Sequence, residues 1–362
     1  MGKITIQSAL GQFTQLVIKA INERKKPTAA FGTFFTDVVS GSKEVSWEIK
    51  RRGRPVAVDI AHHEHGTVTK SAKSTQKIYI PPYYDLATNV DALDSFERVF
   101  GGMSHVDIPQ YDKLIQETAE DARDNLDRIE RAEELQRSQA FLTGIIQLHN
   151  GDNIDFKRKA ASLLAFDSAN DWLVDTVHPG AIMAQGCAFM VTEGDADSSG
   201  IFNIFMGDLA YNAFRANPLV QKESDIKNFH FADLSTNAVV SRTGAVPQGS
   251  YSYGNYRFNI WGYEGYYDVE GGSSNLKYMD SKSIVILPQN IDFKMFYGGT
   301  KAWRGTGINR FPTVIKGKRN FYTVDDEINV SKLFGVRTSP VVLLRSIDNI
   351  FTAVVVGDGE QG

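Results

Sequence analysis

Residues 108–149, IPQYDKLIQETAEDARDNLDRIERAEELQRSQAFLTGIIQLH, decide the fold. Apolar side chains recur through this stretch at steps of four and three residues, on one face of a helix: Ile115, Ala119, Ala122, Leu126 and Ile129. Pro109 falls near the first turn, where its missing N–H leaves no hydrogen bond unmade. The pattern predicts one continuous helix over Ile108–His149, roughly 60 Å long at about 1.5 Å per residue.

The opposite face of this helix is predicted to be solvated or to lie between subunits. Three acids each stand four residues before a base, the orientation that stabilises a helix: Asp124 with Arg128, Asp127 with Arg131, and Glu133 with Arg137. The helix would be about three times the mean helix length. Such a rod is typical of a spine that supports a flat, extended subunit.

Two different patterns precede the helix. Ser8–Lys26 has apolar residues at helical spacing and is followed by Pro27 and the aromatic run Phe31–Phe35. This part is either an N-terminal core helix or an arm that packs on a neighbour.

Lys43–Pro82 alternates like a β-hairpin, yet Val68–Lys77 is almost without apolar residues. A hairpin this polar is mobile or rests on an adjacent subunit, and we predict that it projects onto one.

The chain after the helix predicts an α+β fold, with helices and strands segregated rather than regularly alternating. Helices are predicted over Gly180–Glu193 and over Gly207–Asn217, the second ended by Pro218. A short strand-like turn is predicted at Asp152–Lys159, and strands are predicted at irregular intervals after it: Ile201–Met206, Asn237–Ser241, Tyr256–Tyr263, Lys282–Leu287, Val341–Leu344 and Phe351–Val356.

The composition excludes several classes of protein. The 362 residues carry a net charge of −4 and a single cysteine, Cys187, which rules out a disulfide framework or a zinc site built on several thiolates. We expect a soluble protein without a signal peptide that stays in the cell that makes it. A near-neutral chain is a poor DNA reader, so three basic clusters are predicted to be solvated or intersubunit charges: Arg24–Lys26, Lys50–Arg54 and Lys157–Lys159.

No arrangement of residues in the chain predicts a catalytic, cofactor-binding or metal site. His62, His63 and His65 are the strongest candidates, but they lack the helical H-E-x-x-H order of a zinc protease and the later cysteines of a zinc deaminase. Gly305-Thr306-Gly307 lacks the third glycine of a dinucleotide loop. Cys187 lies in an apolar helical run and is predicted to be buried. The tyrosines of Tyr251–Tyr267 are predicted to line a sheet and a protein contact.

These features, in this order, resemble the lambda-type (gpE-like) major capsid family of tailed bacteriophages, which has the Hong Kong 97-type capsid fold. Arg128–Gly144 looks like the family's spine helix and its glycine end. Other segments resemble the extended loop, its return, the central sheet and the C-terminal strand: Arg54–Ala57 with His62–Gly66, Ile80–Tyr83, Gly249–Tyr267 with Ile286–Pro288, and Thr338–Leu343. The histidine-rich turn departs from the family pattern, which is more often small and polar there.

The resemblance implies a subunit divided into five parts: an N-terminal arm (1–42), an extended β-hairpin loop (43–85), a peripheral domain with the spine helix (86–165), a central axial α+β domain (166–290), and a return to the peripheral domain with the C-terminal strands (291–362). It implies a structural protein rather than an enzyme. Copies would self-assemble into hexamers and pentamers of an icosahedral shell around the double-stranded DNA genome, without a cofactor and without membrane contact.

The same resemblance implies partners: a scaffolding protein, a portal, a decoration protein, and packaged DNA that is contacted without sequence preference. Assembly in the cytoplasm of the bacterial host would give the virion capsid. Two alternatives stay open. One is an encapsulin-like nanocompartment shell, which shares the fold and encloses cargo enzymes. The other is a metal-dependent enzyme that uses His62, His63 and His65.

Overall fold

A computed structural model gives the structure of the chain. It describes residues 27, 29–50, 74–91, 110–148, 151–197, 200–226, 244–269, 271–272, 274–291, 293–304, 311–326 and 331–357. The α-helices of this part are α1 (Gln110–Leu142), α2 (Pro179–Glu193), α3 (Asp208–Ala216) and α4 (Pro218–Ile226).

Most of the described chain outside the helices is β-structure. The strands are β1 (Phe35–Val39), β2 (Val45–Lys50), β3 (Ser74–Tyr79), β4 (Tyr84–Asp91), β5 (Ile145–Gln147), β6 (Asn153–Asp155), β7 (Leu163–Leu164), β8 (Ile201–Met206), β9 (Ala245–Tyr253), β10 (Tyr256–Tyr263), β11 (Tyr266–Tyr267), β12 (Leu276–Lys277), β13 (Ser283–Pro288), β14 (Phe293–Tyr297), β15 (Thr300–Arg304), β16 (Phe311–Ile315), β17 (Asn320–Asp326), β18 (Ser331–Thr338), β19 (Pro340–Leu343) and β20 (Phe351–Val354).

The long helix α1 is continuous over its 33 described residues, which span about 50 Å. Its predicted extension to His149 is wrong. Gly144 adopts a left-handed conformation with φ of 73°. Its N–H and that of Thr143 donate to the carbonyl of Gln139 at 3.1 and 3.0 Å, which closes the helix. The following residues form β5, paired with β6. The predicted start at Ile108 lies outside the described residues.

One face of α1 packs on a three-stranded antiparallel sheet in the order β17-β18-β4. The helix contributes the predicted apolar stripe and the central strand contributes alternate residues, so that one small core forms: Ala119, Ala122, Leu126, Ile129, Phe334 and Val336. The stripe is thus confirmed over its described part. Buried residues recur every three or four positions on the helix and at every second position on the strand, because each element buries only one of its faces.

A mixed six-stranded sheet, in the order β7-β20-β13-β8-β10-β9, is the largest sheet of the described chain. One face is covered by α2 and α3, which place Met183, Cys187 and Phe214 against it. The other face carries Phe205 and Trp261 into a core shared with the end of α1 and with a small sheet, β1-β14-β19. Two cores on opposite faces explain why the central strands β8 and β13 are buried at nearly every position.

The aromatic run before β1 belongs to the subunit's own core. Phe31 is fully buried, and its ring lies 5.1 Å from Phe141, 5.3 Å from Phe205 and 5.0 Å from Tyr263, centroid to centroid. Strand β1 then pairs in parallel with β14. For this stretch the core alternative holds rather than packing on a neighbour. The predicted helix Ser8–Lys26 lies outside the described residues.

Several other predictions can be compared directly with the structure. The strands predicted over Ile201–Met206 and Tyr256–Tyr263 form with those bounds. Pro218 does separate two elements, but it also begins the unpredicted helix α4, where proline is well tolerated. The predicted strand Asn237–Ser241 lies outside the described residues. The stem of the hairpin predicted over Lys43–Pro82 is present as the paired strands β2 and β3. Its tip, residues 51–73, lies outside the described residues.

Candidate functional site

A two-stranded ribbon, β15 with β16, carries the largest exposed apolar side chain of the described chain. Trp303 is 66% exposed and Phe311 54%, and Val314 and Ile315 are exposed as well. In the strand register, Trp303 faces Pro312 and Lys301 faces Val314 on one side of the ribbon, and Phe311 and Ile315 lie on the other. An isolated two-stranded ribbon is only marginally stable in water. Its apolar faces are therefore uncovered within the described part of the subunit.

Polar contacts fix the base of this ribbon to the neighbouring sheet. Arg337 pairs with Asp85, Nε to Oδ2 at 2.9 Å, and stacks over the ring of Tyr322 at 3.7 Å from its centroid. The same guanidinium donates from Nη1 to the carbonyl of Lys301 on β15 at 3.3 Å. The amide of Asn320 donates to Thr300. The base is held in a defined direction, whereas the apolar side chains further along are left in solvent.

The sequence analysis missed this ribbon, although a signal was present. It considered Gly305-Thr306-Gly307 only as a failed dinucleotide loop. The same glycines separate two short runs with aromatic residues, TKAWR and FPTVI, and that is the pattern of a β-hairpin. What the pattern could not show is that both faces lack a cover within the described subunit.

A second apolar surface lies along the end of the β2–β3 hairpin stem and its continuation. Ile78 is 62% exposed and Ile80 58%, and Tyr83 is also exposed. The next residue along β3, Tyr79, pairs with Val45 of β2, which is buried. The Tyr79 hydroxyl donates to the carbonyl of Asp155 at 3.3 Å. One side of this stem is therefore fixed to the body, and Ile78 and Ile80 are exposed within the described part of the subunit.

Beneath α1 the structure places a buried group of four charges. Glu133 Oε1 lies 2.7 Å from Arg319 Nη2, and Glu133 Oε2 lies 3.5 Å from Arg137 Nη2. Arg137 Nη1 lies 3.1 Å from Glu134 Oε2. These glutamate and arginine side chains are nearly inaccessible to solvent. The prediction that the pair Glu133–Arg137 lies on a solvated or intersubunit face is wrong, because residues distant in sequence cover it.

Neutral groups complete this charge group and tie four segments of the chain together. Glu134 accepts hydrogen bonds from the backbone N–H of Phe31 at 2.9 Å and from the Tyr263 hydroxyl at 3.1 Å. Glu133 accepts one from the Tyr297 hydroxyl at 3.3 Å. The group thus joins α1 to the segment before β1, to β10, and to β14. It holds these segments of the described chain against one another.

Burial and pairing shift the ionisation of this group in opposite directions. Burial raises the pKa of Glu134, against the lowering effect of Arg137 and of its hydrogen bonds. Burial alone would lower the pKa of Arg137, but Glu134 and Glu133 outweigh it, and the pKa is raised. Burial, then the charge of Glu134, raises the pKa of Tyr263. That hydroxyl stays protonated and serves as a donor.

The third basic cluster, Lys157–Lys159, also serves the subunit itself. Arg158 crosses the end of α1 and donates to the carbonyls of Phe141, Ser162 and Ile350. Lys159 pairs with Glu193 and Asp348. The Lys159–Glu193 pair is solvent-exposed and fits the predicted solvated charges. For Arg158 the prediction of solvated or intersubunit charges is wrong. The reason is that the end of α1 and the C-terminal strand leave carbonyl groups that need donors.

The structure bears differently on the two sets of candidate residues for chemistry. His62, His63 and His65 lie outside the described residues, so the structure does not test them. Cys187 is fully buried, as predicted, and burial raises the pKa of its thiol. Among the residues that the structure describes, no three His, Cys, Asp or Glu side chains cluster as a metal site would require. No described helix is long and apolar enough to cross a membrane.

The tyrosines of β9 and β10 line the central sheet, as predicted, whereas Tyr266 and Tyr267 lie in the separate two-stranded sheet β11–β12. Tyr251 is buried, and its hydroxyl donates to Glu223 of α4 at 2.8 Å. Tyr263 is buried beside Glu134, and Tyr266 is 46% exposed. The sheet therefore uses most of these rings internally and exposes few of them.

Comparison with known structures gives the fold. The chain is similar to a prophage protein of E. coli CFT073 described as a capsid protein, with 12% identity over 96% of this chain and 98% of that one, at a TM-score of 0.63. It also matches the capsid of Ralstonia phage GP4, with 12% identity over 94% and 93% of the two chains, at a TM-score of 0.48. A phage-related protein of Bordetella bronchiseptica RB50 matches with 9% identity over 94% and 96%, at a TM-score of 0.49.

The likeness over nearly the whole chain confirms the predicted α+β fold of the Hong Kong 97-type. The chain matches no curated protein sequence. The family model for phage major capsid protein E matches residues 14–320, most of the chain. The chain therefore belongs to the phage major capsid protein E family, the structural proteins that form the shell of the virion.

Proposed function

We propose that copies of this chain assemble into the hexamers and pentamers of an icosahedral shell, which encloses the double-stranded DNA genome of a tailed phage. The observation that carries this proposal is the β15–β16 ribbon, whose Trp303 and Phe311 are exposed on a subunit with well-formed cores of its own. A subunit that repeats around a closed shell covers such a surface with a neighbouring copy.

The hairpin over residues 43–85 supplies a second contact in this proposal. Its stem is fixed to the body through Tyr79, and Ile78 and Ile80 leave apolar surface on the other side. We infer that this side and the polar tip rest on an adjacent subunit. The remaining divisions, an arm over 1–42, a peripheral domain over 86–165 with 291–362, and an axial domain over 166–290, are proposed with it.

The proposal extends to partners and place. A shell of this kind is built in the bacterial host cytoplasm with a scaffolding protein, a portal and a decoration protein. The net charge of −4 supports a shell that encloses DNA without binding it tightly. We propose that the chain acts as a structural protein without catalysis, because the polar networks described above join segments of the fold rather than converge on an open cavity.

The experiment is assembly of the purified chain, followed by negative-stain microscopy and sedimentation. We expect closed shells or capsomers from the native chain. Trp303→Ser and Phe311→Ser should remain folded, because substitutions of exposed residues usually change stability by about 0.5 kcal/mol or less, and should shift the protein to free subunits. Ile145→Ser removes an exposed apolar residue from another hairpin and serves as the matched control. Normal assembly of both ribbon variants would contradict the proposed contact.

A further inference from the structure

A cleft of about 400 Å³ opens beside the last two turns of α1. The helix forms one wall and the β11–β12 hairpin the other, with Leu135, Gln139, Leu142, Tyr267, Lys277 and Tyr278 among the lining residues. Leu135, Leu142 and Tyr267 pack against the main core but are only partly buried. The cleft therefore presents apolar surface that the described part of the subunit leaves uncovered.

The rim of this cleft is acidic. Lys277 Nζ lies 3.1 Å from Asp208 Oδ1 and 3.6 Å from Glu264 Oε1; the Glu264 side chain is exposed and that of Asp208 is partly exposed. Asp280 lines the cleft and is exposed as well. Three carboxylates share the rim with one ammonium group, so these four side chains leave a net negative charge. A segment with a basic end and an apolar face would suit both features of the cleft.

Such a segment exists in the chain itself, outside the described residues. The sequence of Ser8–Lys26 predicts a helix on which five apolar residues share one face: Leu10, Phe13, Val17, Ala20 and Ile21. Four of the last eight residues are basic and one is acidic: Lys19, Arg24, Lys25 and Lys26, with Glu23. An amphipathic helix of this kind needs a surface for its apolar face.

The chain enters the body next to the cleft. The ring of Phe31 lies 5.0 Å from that of Tyr263, which stacks at 6.4 Å on Tyr278, and Tyr278 lines the cleft. The hydrogen bond from the Phe31 N–H to Glu134 fixes this point. Residues 27–30 can span roughly 13 Å when extended. The end of the predicted helix is therefore within reach of the cleft of its own subunit.

We propose that the helix predicted over Ser8–Lys26 docks into this cleft within the same chain. Phe13 and Val17 enter between α1 and Tyr267, and the basic end lies against the rim formed by Asp208, Glu264 and Asp280. The segment then acts as a cover for the spine helix of its own subunit. This inference goes beyond the proposed shell, because it concerns each subunit and does not depend on the capsomer arrangement.

A disulfide experiment on the full chain tests this docking. Because Cys187 is buried, the disulfides that form on oxidation reflect the positions of the introduced cysteines. We expect Val17→Cys with Gln139→Cys to form a bond within one chain on mild oxidation, as seen by non-reducing electrophoresis and peptide mass mapping. The matched control is Gln15→Cys with Gln139→Cys, which places the first thiol on the opposite, polar face of the predicted helix. The disulfide of Val17→Cys with Gln139→Cys should form several-fold faster than that of the control pair.

Equal rates for the two pairs, or no bond in either, would overturn the docking. A bond formed between two chains would overturn it too, because the segment would then belong to a second copy. A second measurement uses no introduced thiol. Phe13→Asp should raise the rate of trypsin cleavage after Arg24 and Lys25 by about tenfold or more, because it removes the aromatic anchor of the docked helix. Gln15→Asp should leave that rate near the native value, and an unchanged rate in Phe13→Asp would contradict the proposal.

Discussion

Replacing Arg137 by methionine removes a buried positive charge from the group beneath α1 and keeps a side chain of similar length. Glu133 retains Arg319 at 2.7 Å, and Glu134 retains only neutral donors, from Phe31 and Tyr263. One buried carboxylate is then left without an opposite charge. Breaking a buried ion pair by removing one partner costs about 3–5 kcal/mol. We expect a loss of that size in the free energy of unfolding at pH 8.

The loss should shrink as the solution becomes more acidic. Burial already raises the pKa of Glu134, and the loss of Arg137 removes its main opposing influence. A carboxyl group whose folded pKa lies above its unfolded value lowers stability as pH rises from the unfolded to the folded pKa. Protonation of Glu134 in the variant therefore restores stability as pH falls through the raised pKa towards the usual glutamate value of about 4.3.

Urea unfolding of unassembled subunits at pH 8 and pH 5, followed by tryptophan fluorescence, measures both effects. Asp124→Asn on the exposed face of the same helix is the control, with an expected change of about 0.5 kcal/mol or less. Adding Glu134→Gln to Arg137→Met should recover part of the loss, because the uncompensated charge is removed. A cost of about 1 kcal/mol or less for Arg137→Met, unchanged at pH 5, would refute the buried ionic junction.

Three further predictions concern the core, the hairpin and the histidines. Ile129→Asp places a charge at a side chain that is 1% exposed, and we expect a loss of several kcal/mol in urea unfolding. A short Gly-Ser linker in place of residues 51–73 should leave a folded subunit by circular dichroism, because β2 and β3 keep their pairing, but one that sediments as free subunits. Alanine at His62, His63 and His65 together should still give closed shells by microscopy. Stoichiometric zinc, iron or manganese in native protein purified without added metal, lost together with a hydrolytic activity in His63→Ala, would contradict the structural role.

Local periodicity was enough to predict much of the secondary structure. The stripe that includes Ala119 and Ile129 identified α1 and the side that it buries, because a helix brings residues three and four apart onto one face. The strand bounds of β8 and β10 followed from apolar runs between turn residues. The end of α1 was misplaced, because the left-handed cap at Gly144 outweighed the apolar residues that follow it.

Tertiary structure alone decided which polar and apolar residues are covered. Glu133 and Arg137 have the spacing of a solvated helix pair, yet Arg319, Tyr297 and Tyr263 approach from distant parts of the chain and bury them. Trp303 and Phe311 have the pattern of core strands, yet no described element covers their ribbon. Periodicity is set by the covalent geometry of each segment and can be read from the sequence. Burial depends on neighbours in space, which are fixed only when the segments pack.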